Sequence, residues 1–198
     1  MRTILRILAE SANRWQRSTR VKARVKGRGS AGVYCREGQS HWSWDIRIGD
    51  VDSFGAAIGI YRAATIMEKK VHIVINDITS SVRPLYERIR DNAAYDEDLF
   101  LTSSQVEDVV TENTMVVVVD TNKPELTECE ELLGMTKTIV VLDHHRQGSD
   151  TIRNSVLSYI EPYASSASEM VAEILQYLPK ESASGTWRRT ASYAGIMI

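Results

Sequence analysis

Two stretches of the chain are apolar without a break, Met115-Val116-Val117-Val118-Val119 and Ile139-Val140-Val141-Leu142. Short runs rich in β-branched residues and bounded by polar ones read as strands buried on both faces. Val71-His72-Ile73-Val74-Ile75 reads the same way, with His72 as a packed or edge residue, and Phe100-Leu101 reads as a weak strand. Between these runs the apolar period lengthens. Ala56, Ala57, Ile60, Ala63, Ala64 and Met67 mark a helix over residues 53–70, in which Gly55 and Gly59 allow close packing. Pro84 sits in the first turn of a helix running to Asn92. Ser103 or Ser104 caps a short helix reaching Val110. Residues 124–133 are expected to be helical and closed by Gly134. Residues 165–178 form a last helix with Met170, Ile174 and Leu178 on one side. Strand and helix alternate over short connections, which predicts an α/β fold with a parallel sheet and helices on both faces.

The ends of the chain do not share this regularity. Residues 1–26 can form a helix with a basic face, but residues 27–46 mix Gly27, Gly29, Gly32 and Gly38 with Tyr34, Cys35, Trp42 and Trp44 in no clean period. Natural sequences are seldom so inconsistent locally. The expected division is an irregular basic segment, a linker remnant, over residues 1–46 and an α/β domain over residues 47–198. Tyr193 to Ile198 begins another apolar run.

The length of 198 residues suits one domain with a real core, and 43% hydrophobic and 25% charged residues are ordinary for a globular chain. A net charge of -2 gives no bulk affinity for polyanions, so duplex nucleic acid is not an expected partner. Residues 1–30 hold nine Arg or Lys and one acid, Glu10, a run that reads more simply as a solvated linker or helix face than as a nucleic-acid patch. Cys35 and Cys129 are far apart and in no metal-type spacing, which suggests a reducing compartment. No apolar run approaches the roughly 18 residues of a spanning helix.

Candidate chemistry gathers where strands end. Asp50-Val51-Asp52 precedes the first regular helix, Asp120 follows the valine run, and Asp143-His144-His145-Arg146 follows the next strand. Open α/β sheets place ligands beyond the carboxyl ends of their strands. Two carboxylates at i and i+2 can point at two ions, a carboxylate from a neighbouring strand can bridge them, and an imidazole completes the set. That is the geometry of a two-metal site, with ions about 3.5–4 Å apart, and its donors suit Mn²⁺ or Mg²⁺ better than a thiolate zinc site. Each acid alone also has a plain reading: Asp50 or Asp52 as a cap of the following helix, and Asp120 as a cap through Thr121-Asn122-Lys123-Pro124. His41 and His72 are given no role in the site.

Taken in order, Asp50-Val51-Asp52-Ser53-Phe54-Gly55-Ala56-Ala57, Val119-Asp120-Thr121-Asn122 and Asp143-His144-His145-Arg146 resemble the first three motifs of the DHH phosphoesterases. Arg20–Val25, Ile75-Asn76-Asp77, Ser80–Leu85 and Glu161–Met170 narrow the resemblance to the membrane-anchored cyclic-di-AMP phosphodiesterases of Gram-positive bacteria, over roughly residues 18–26 and 47–180. The resemblance implies metal-dependent hydrolysis of cyclic-di-AMP to pApA. Asp50 would bind the first metal, Asp52 and His144 the second, and Asp120 both. His145 would contact the scissile phosphate, Asp143 would support the histidines, and Arg146 would add a phosphate contact. Two divalent ions, Mn²⁺ by preference, are implied as cofactors. A cyclic dinucleotide or a short oligonucleotide is the implied partner, and a homodimer is open to the chain. The implied location is the cytoplasmic side of a parent anchored in the membrane by segments absent here. A DHH oligoribonuclease or single-strand exonuclease is the alternative enzyme. A non-catalytic nucleotide-binding fragment is the alternative from another class.

The chain departs from this family at two places. The family's first motif is His-x-x-x-Asp-x-Asp, and Ile46 stands where that histidine belongs. The fourth motif is an apolar run ending in Asp-Thr, and the chain stops at Ile198, before the expected acid, so the resemblance implies a domain incomplete at its C-terminal end. One account of the irregular text is that residues about 27–46 and 181–192 are read out of frame in a partial gene. One base earlier, codons for Ser43-Trp44-Asp45-Ile46 can spell Met-Gly-His in register with Asp50. The nucleotide sequence decides this, and a diverged homologue without activity is the other account.

Overall fold

The computed structural model describes residues 41–45, 50–67 and 69–176, the first of these as backbone. Expectations for residues 1–40, Ile46, the segment 181–192 and the run Tyr193–Ile198 lie outside the described residues. The elements in chain order are β1 (His41–Asp45), α1 (Val51–Ile66), β2 (Lys70–Val74), α2 (Arg83–Arg90), β3 (Phe100–Leu101), α3 (Ser103–Glu107), β4 (Met115–Val119), a 3₁₀ turn (Pro124–Leu126), α4 (Leu132–Met135), β5 (Thr138–Asp143), β6 (Leu157–Ile160) and α5 (Ala167–Leu175).

The strands form one six-stranded sheet in the order β3-β2-β1-β4-β5-β6, and every pair is parallel. The α/β reading therefore holds. The apolar runs are strands because both of their faces are covered. Met115, Val117, Val119, Val140 and Leu142 face a core completed by α1, by Ile89 of α2 and by Ala167 and Val171 of α5. Val116, Val118, Ile139 and Val141 face the opposite core, with Val106 of α3 and Leu132 and Leu133 of α4. α1 is buried at every position from Ser53 to Tyr61, as expected of a helix enclosed between a sheet and another helix. Gly59 makes that enclosure possible: a Cβ there would stand 2.6 Å from Val171 Cγ1.

The structure corrects the sequence reading in several places. Residues 41–45, assigned to the irregular segment, form the central strand β1 between β2 and β4. Its polar–Trp alternation covers only five residues, and two flanking ladders satisfy its backbone whatever its surroundings. The expected helix over residues 124–133 is broken. Thr127 turns its Oγ1 (2.6 Å) and N–H (3.0 Å) onto Pro124 O, and Asn76 Nδ2 holds Glu128 O at 2.9 Å, so the segment is extended before α4 begins. Gly134 lies inside α4 rather than closing a helix. α3 is capped by Thr102, with Gln105 completing a capping box, and it ends at Glu107 rather than Val110. β6 was not foreseen, because as an edge strand only its first residue is buried.

The chain runs from β1 outward to β2 and β3, then returns to β4 on the other side of β1. The strand order reverses between β1 and β4, the position where a parallel sheet opens a crevice at its carboxyl edge.

Candidate metal centre

Each acidic strand end reaches this crevice by a different local device. Asp50 is the N-cap of α1. Its Oδ1 accepts the N–H groups of Asp52 and Ser53, each at 3.0 Å, and the Ser53 hydroxyl at 3.2 Å. The capping reading of Asp50 therefore holds, with Asp50 exposed beside the site. Asp52, in the first turn of α1, turns to the start of α5. Its Oδ2 accepts the N–H of Ala167 and its Oδ1 that of Ser168, both at 2.8 Å.

Asp120 directly follows β4, and its N–H donates to Leu142 O at 2.9 Å. Its φ of 60° makes it the single non-glycine residue in the left-handed region among the described residues. Asp tolerates that region better than most residues, and such backbone strain clusters at functional sites. Among the described residues Asp120 caps no helix, so its plain reading is not borne out: Oδ1 is buried and receives no hydrogen bond from them. Around that atom lie His144 Nε2 at 3.2 Å and His145 Nδ1 at 3.7 Å. His144 Nε2 is also 3.7 Å from Asp52 Oδ2. Burial, then the negative charges of Asp52 and Asp50, push the Asp120 carboxyl up to about 7, against the opposing influence of His145 and His144.

Asp143 ends β5 fully buried. Its Oδ1 accepts the His145 backbone N–H at 3.1 Å and pairs with His145 Nδ1 at 2.8 Å. That hydrogen bond is the main reason the His145 pKa is raised. Asp143 thus supports His145; among the described residues it makes no bond to His144. The two imidazoles lie 4.4 Å apart between centroids and are tilted by 52°. Arg146 is exposed and makes no ion pair among the described residues.

Asn122 was missed by the sequence reading. Its Nδ2 donates to Asp143 Oδ2, and it is buried like its partner. The available signal was its place two residues after Asp120, in the loop leaving β4. His72, given no role, is buried in β2 with Nδ1 2.7 Å from Asp98 O.

This donor set fits a divalent cation. Ligand atoms of Asp120, His144 and His145 lie within 4.8 Å of one another. A buried carboxylate oxygen without a hydrogen bond, beside imidazole nitrogens and under the negative charge of two further acids, is a site whose charge a divalent cation would balance.

Residues 47–198 match the DHH family, N-terminal domain. The chain is 38% identical over 190 residues to the cyclic-di-AMP phosphodiesterase GdpP of Bacillus subtilis, across 94% of this chain and 28% of that protein. It is 30% identical over 196 residues to the cyclic-di-AMP phosphodiesterase PdeA of Listeria monocytogenes, across 98% of this chain and 30% of that protein. It is 31% identical over 153 residues to a membrane protein–large ribosomal subunit bL9 fusion protein of Onion yellows phytoplasma, across 75% and 18% respectively. The chain thus spans less than a third of the length of the curated relatives it matches. Among solved structures, an exopolyphosphatase-related protein from Bacteroides fragilis shares the fold, with a TM-score of 0.52 at 16% identity over 69% of this chain and 38% of that one.

Proposed function

The chain belongs to the DHH family, and from that premise we propose that it carries the metal centre of a phosphodiesterase that hydrolyses cyclic-di-AMP to pApA with Mn²⁺. The observation that carries the reading is the buried, unbonded Asp120 Oδ1 with two imidazole nitrogens beside it, one of them also 3.7 Å from Asp52 Oδ2. In this reading Asp50, Asp52, Asp120 and His144 would hold the ions, Asp50 the first, Asp52 and His144 the second, with Asp120 shared. Two divalent cations, when bound, supply an activated water and offset the charge that develops on the phosphate. The protein's own part is positional. Asp143, held by Asn122, fixes the His145 ring and, by that hydrogen bond, raises its pKa and so favours the protonated form that can hydrogen-bond the scissile phosphate. Arg146, exposed and next to His145 in sequence, would add a second donor for phosphate.

The names of two relatives support cyclic-di-AMP as the substrate. The same reading places the site on the cytoplasmic side of a membrane-anchored parent. Among the described residues no helix is long and apolar enough to cross a membrane. Ile46 leaves the first ion one ligand short, so turnover by the chain as written is expected to be poor.

The test is cyclic-di-AMP turnover with Mn²⁺, followed by chromatography of pApA, for the chain as written, for Ile46→His, and for Ile46→His combined with Asp120→Asn. Restoring the ligand should raise turnover by about tenfold or more, the scale of one metal-ligand interaction, and Asp120→Asn should abolish it. Turnover that survives Asp120→Asn, or a preference for linear oligonucleotides over cyclic-di-AMP, would contradict the proposal.

A further inference from the structure

Asp52 does two jobs, one of them with a helix that begins 115 residues further along the chain. Its carboxylate accepts the first two amides of α5, those of Ala167 and Ser168, each at 2.8 Å. Its own carbonyl accepts the Ser168 hydroxyl at 2.9 Å. The third amide of the helix, that of Glu169, is taken at 3.0 Å by Ser166, the N-cap that directly precedes α5. All three leading amides are thus accounted for, and two of them are spent on a residue of α1. Asp52 Oδ2 is the same oxygen that lies 3.7 Å from His144 Nε2. A carboxylate has lone pairs enough to accept an amide on one side and meet a cation on the other.

We infer that the start of α5 is a positioning element for Asp52, and that Ser168 is its central positioning residue. The amides and the Ser168 hydroxyl fix the side-chain and backbone orientation of Asp52, so that Oδ2 faces the Asp120–His144 cluster. The stretch Ser165-Ser166-Ala167-Ser168-Glu169 thereby gains a role that needs no contact with substrate. The inference rests on the metal reading above for the purpose of the clamp, and on the hydrogen bonds alone for its existence.

Two measurements separate these parts. The first is Mn²⁺ affinity, by calorimetric titration of the full chain, for Ser168→Ala, Ser168→Thr and Ala167→Pro. Proline at this first helical position removes the N–H while suiting the helix, and Ser166 is already extended (φ −160°, ψ 158°) as a residue before proline must be. Ala167→Pro should weaken Mn²⁺ binding by about 10- to 100-fold, and Ser168→Ala by about tenfold, as for other residues that orient a metal ligand. Ser168→Thr should retain wild-type affinity. Folded Ser168→Ala protein with wild-type Mn²⁺ affinity would overturn the inference, whether or not Ala167→Pro folds. The second is a double-mutant cycle of Asp52→Ala with Ala167→Pro, which removes the carboxylate and the N–H that meet at 2.8 Å, read as metal-free unfolding equilibria. Coupling of about threefold or more in the unfolding constant supports the clamp, and additivity overturns it. If the wild type binds no Mn²⁺, the metal reading falls and takes the clamp's purpose with it, and intact coupling identifies that reading as the part that failed.

Discussion

At Asp120 three demands meet in one side chain: a left-handed backbone, a buried carboxylate oxygen without a donor, and two acids nearby. The folded protein therefore disfavours the charged form, and the pKa rises from 3.8 to about 7. The sign of the stability effect follows. An acid whose pKa is raised on folding costs the metal-free fold nothing below its ordinary value. The cost grows as pH climbs from about 4 toward 7 and then levels off. Asn shares the tolerance of Asp for the left-handed region and carries no charge. Asp120→Asn should therefore stabilise the metal-free protein more at pH 8 than at pH 5 in urea unfolding, and Mn²⁺ should stabilise the wild type but not the variant. Equal effects at both pH values would count against the origin given for this strain. Asn122 makes a second test. Asn122→Ala leaves Asp143 Oδ2 buried without a donor and should cost about 1–3 kcal/mol of stability, measurable as a fall in denaturation midpoint. The acids and histidines were legible in the sequence as strand-end clusters. Asn122 and Ser168 were not, because their importance lies in which side chain they hold, and no spacing rule reports that.

Element by element, legibility followed burial. β4 and β5 announce themselves because both faces of a parallel strand are covered, so every residue is apolar. β6 and β1 do not: the first is a half-exposed edge, and the second sets His, Ser and Asp around its two tryptophans, so no unbroken apolar run marks it. The helix expected at residues 124–133 failed because hydrogen bonds from Thr127 and Asn76 outweigh propensity. The α1–α5 contact carries its own prediction. Gly→Ala inside a helix ordinarily gains up to about 1 kcal/mol. At Gly59 the new methyl would meet Val171 Cγ1 at 2.6 Å, and overpacking costs about 1–3 kcal/mol. The clash wins, so Gly59→Ala should destabilise the protein and, by displacing α5, weaken the hold of its amides on Asp52. Val171→Ala in the same chain should recover part of both losses. Thermal unfolding and Mn²⁺ titration of the single and double variants check this, and simple additivity would argue against a shared contact.

For the whole molecule, alternation of strands and helices was enough to predict a parallel α/β sheet, but not its order. The order is what builds the site. Because the chain reverses between β1 and β4, the start of α1, the loop after β4 and the end of β5 open onto one crevice, with the start of α5 closing it. Surface ion pairs such as Lys70–Asp98 and Lys137–Glu112 add little to this, since both partners of each are at least half exposed or nearly so. Four segments separated in sequence thus converge on a buried oxygen that the protein alone does not satisfy. Anomalous diffraction from crystals grown with Mn²⁺ tests that convergence most directly. A manganese peak in direct contact with Asp120 and His144, and lost in Asp120→Asn, is the expected result. A peak elsewhere, or none, would contradict the assignment of this crevice as a metal centre.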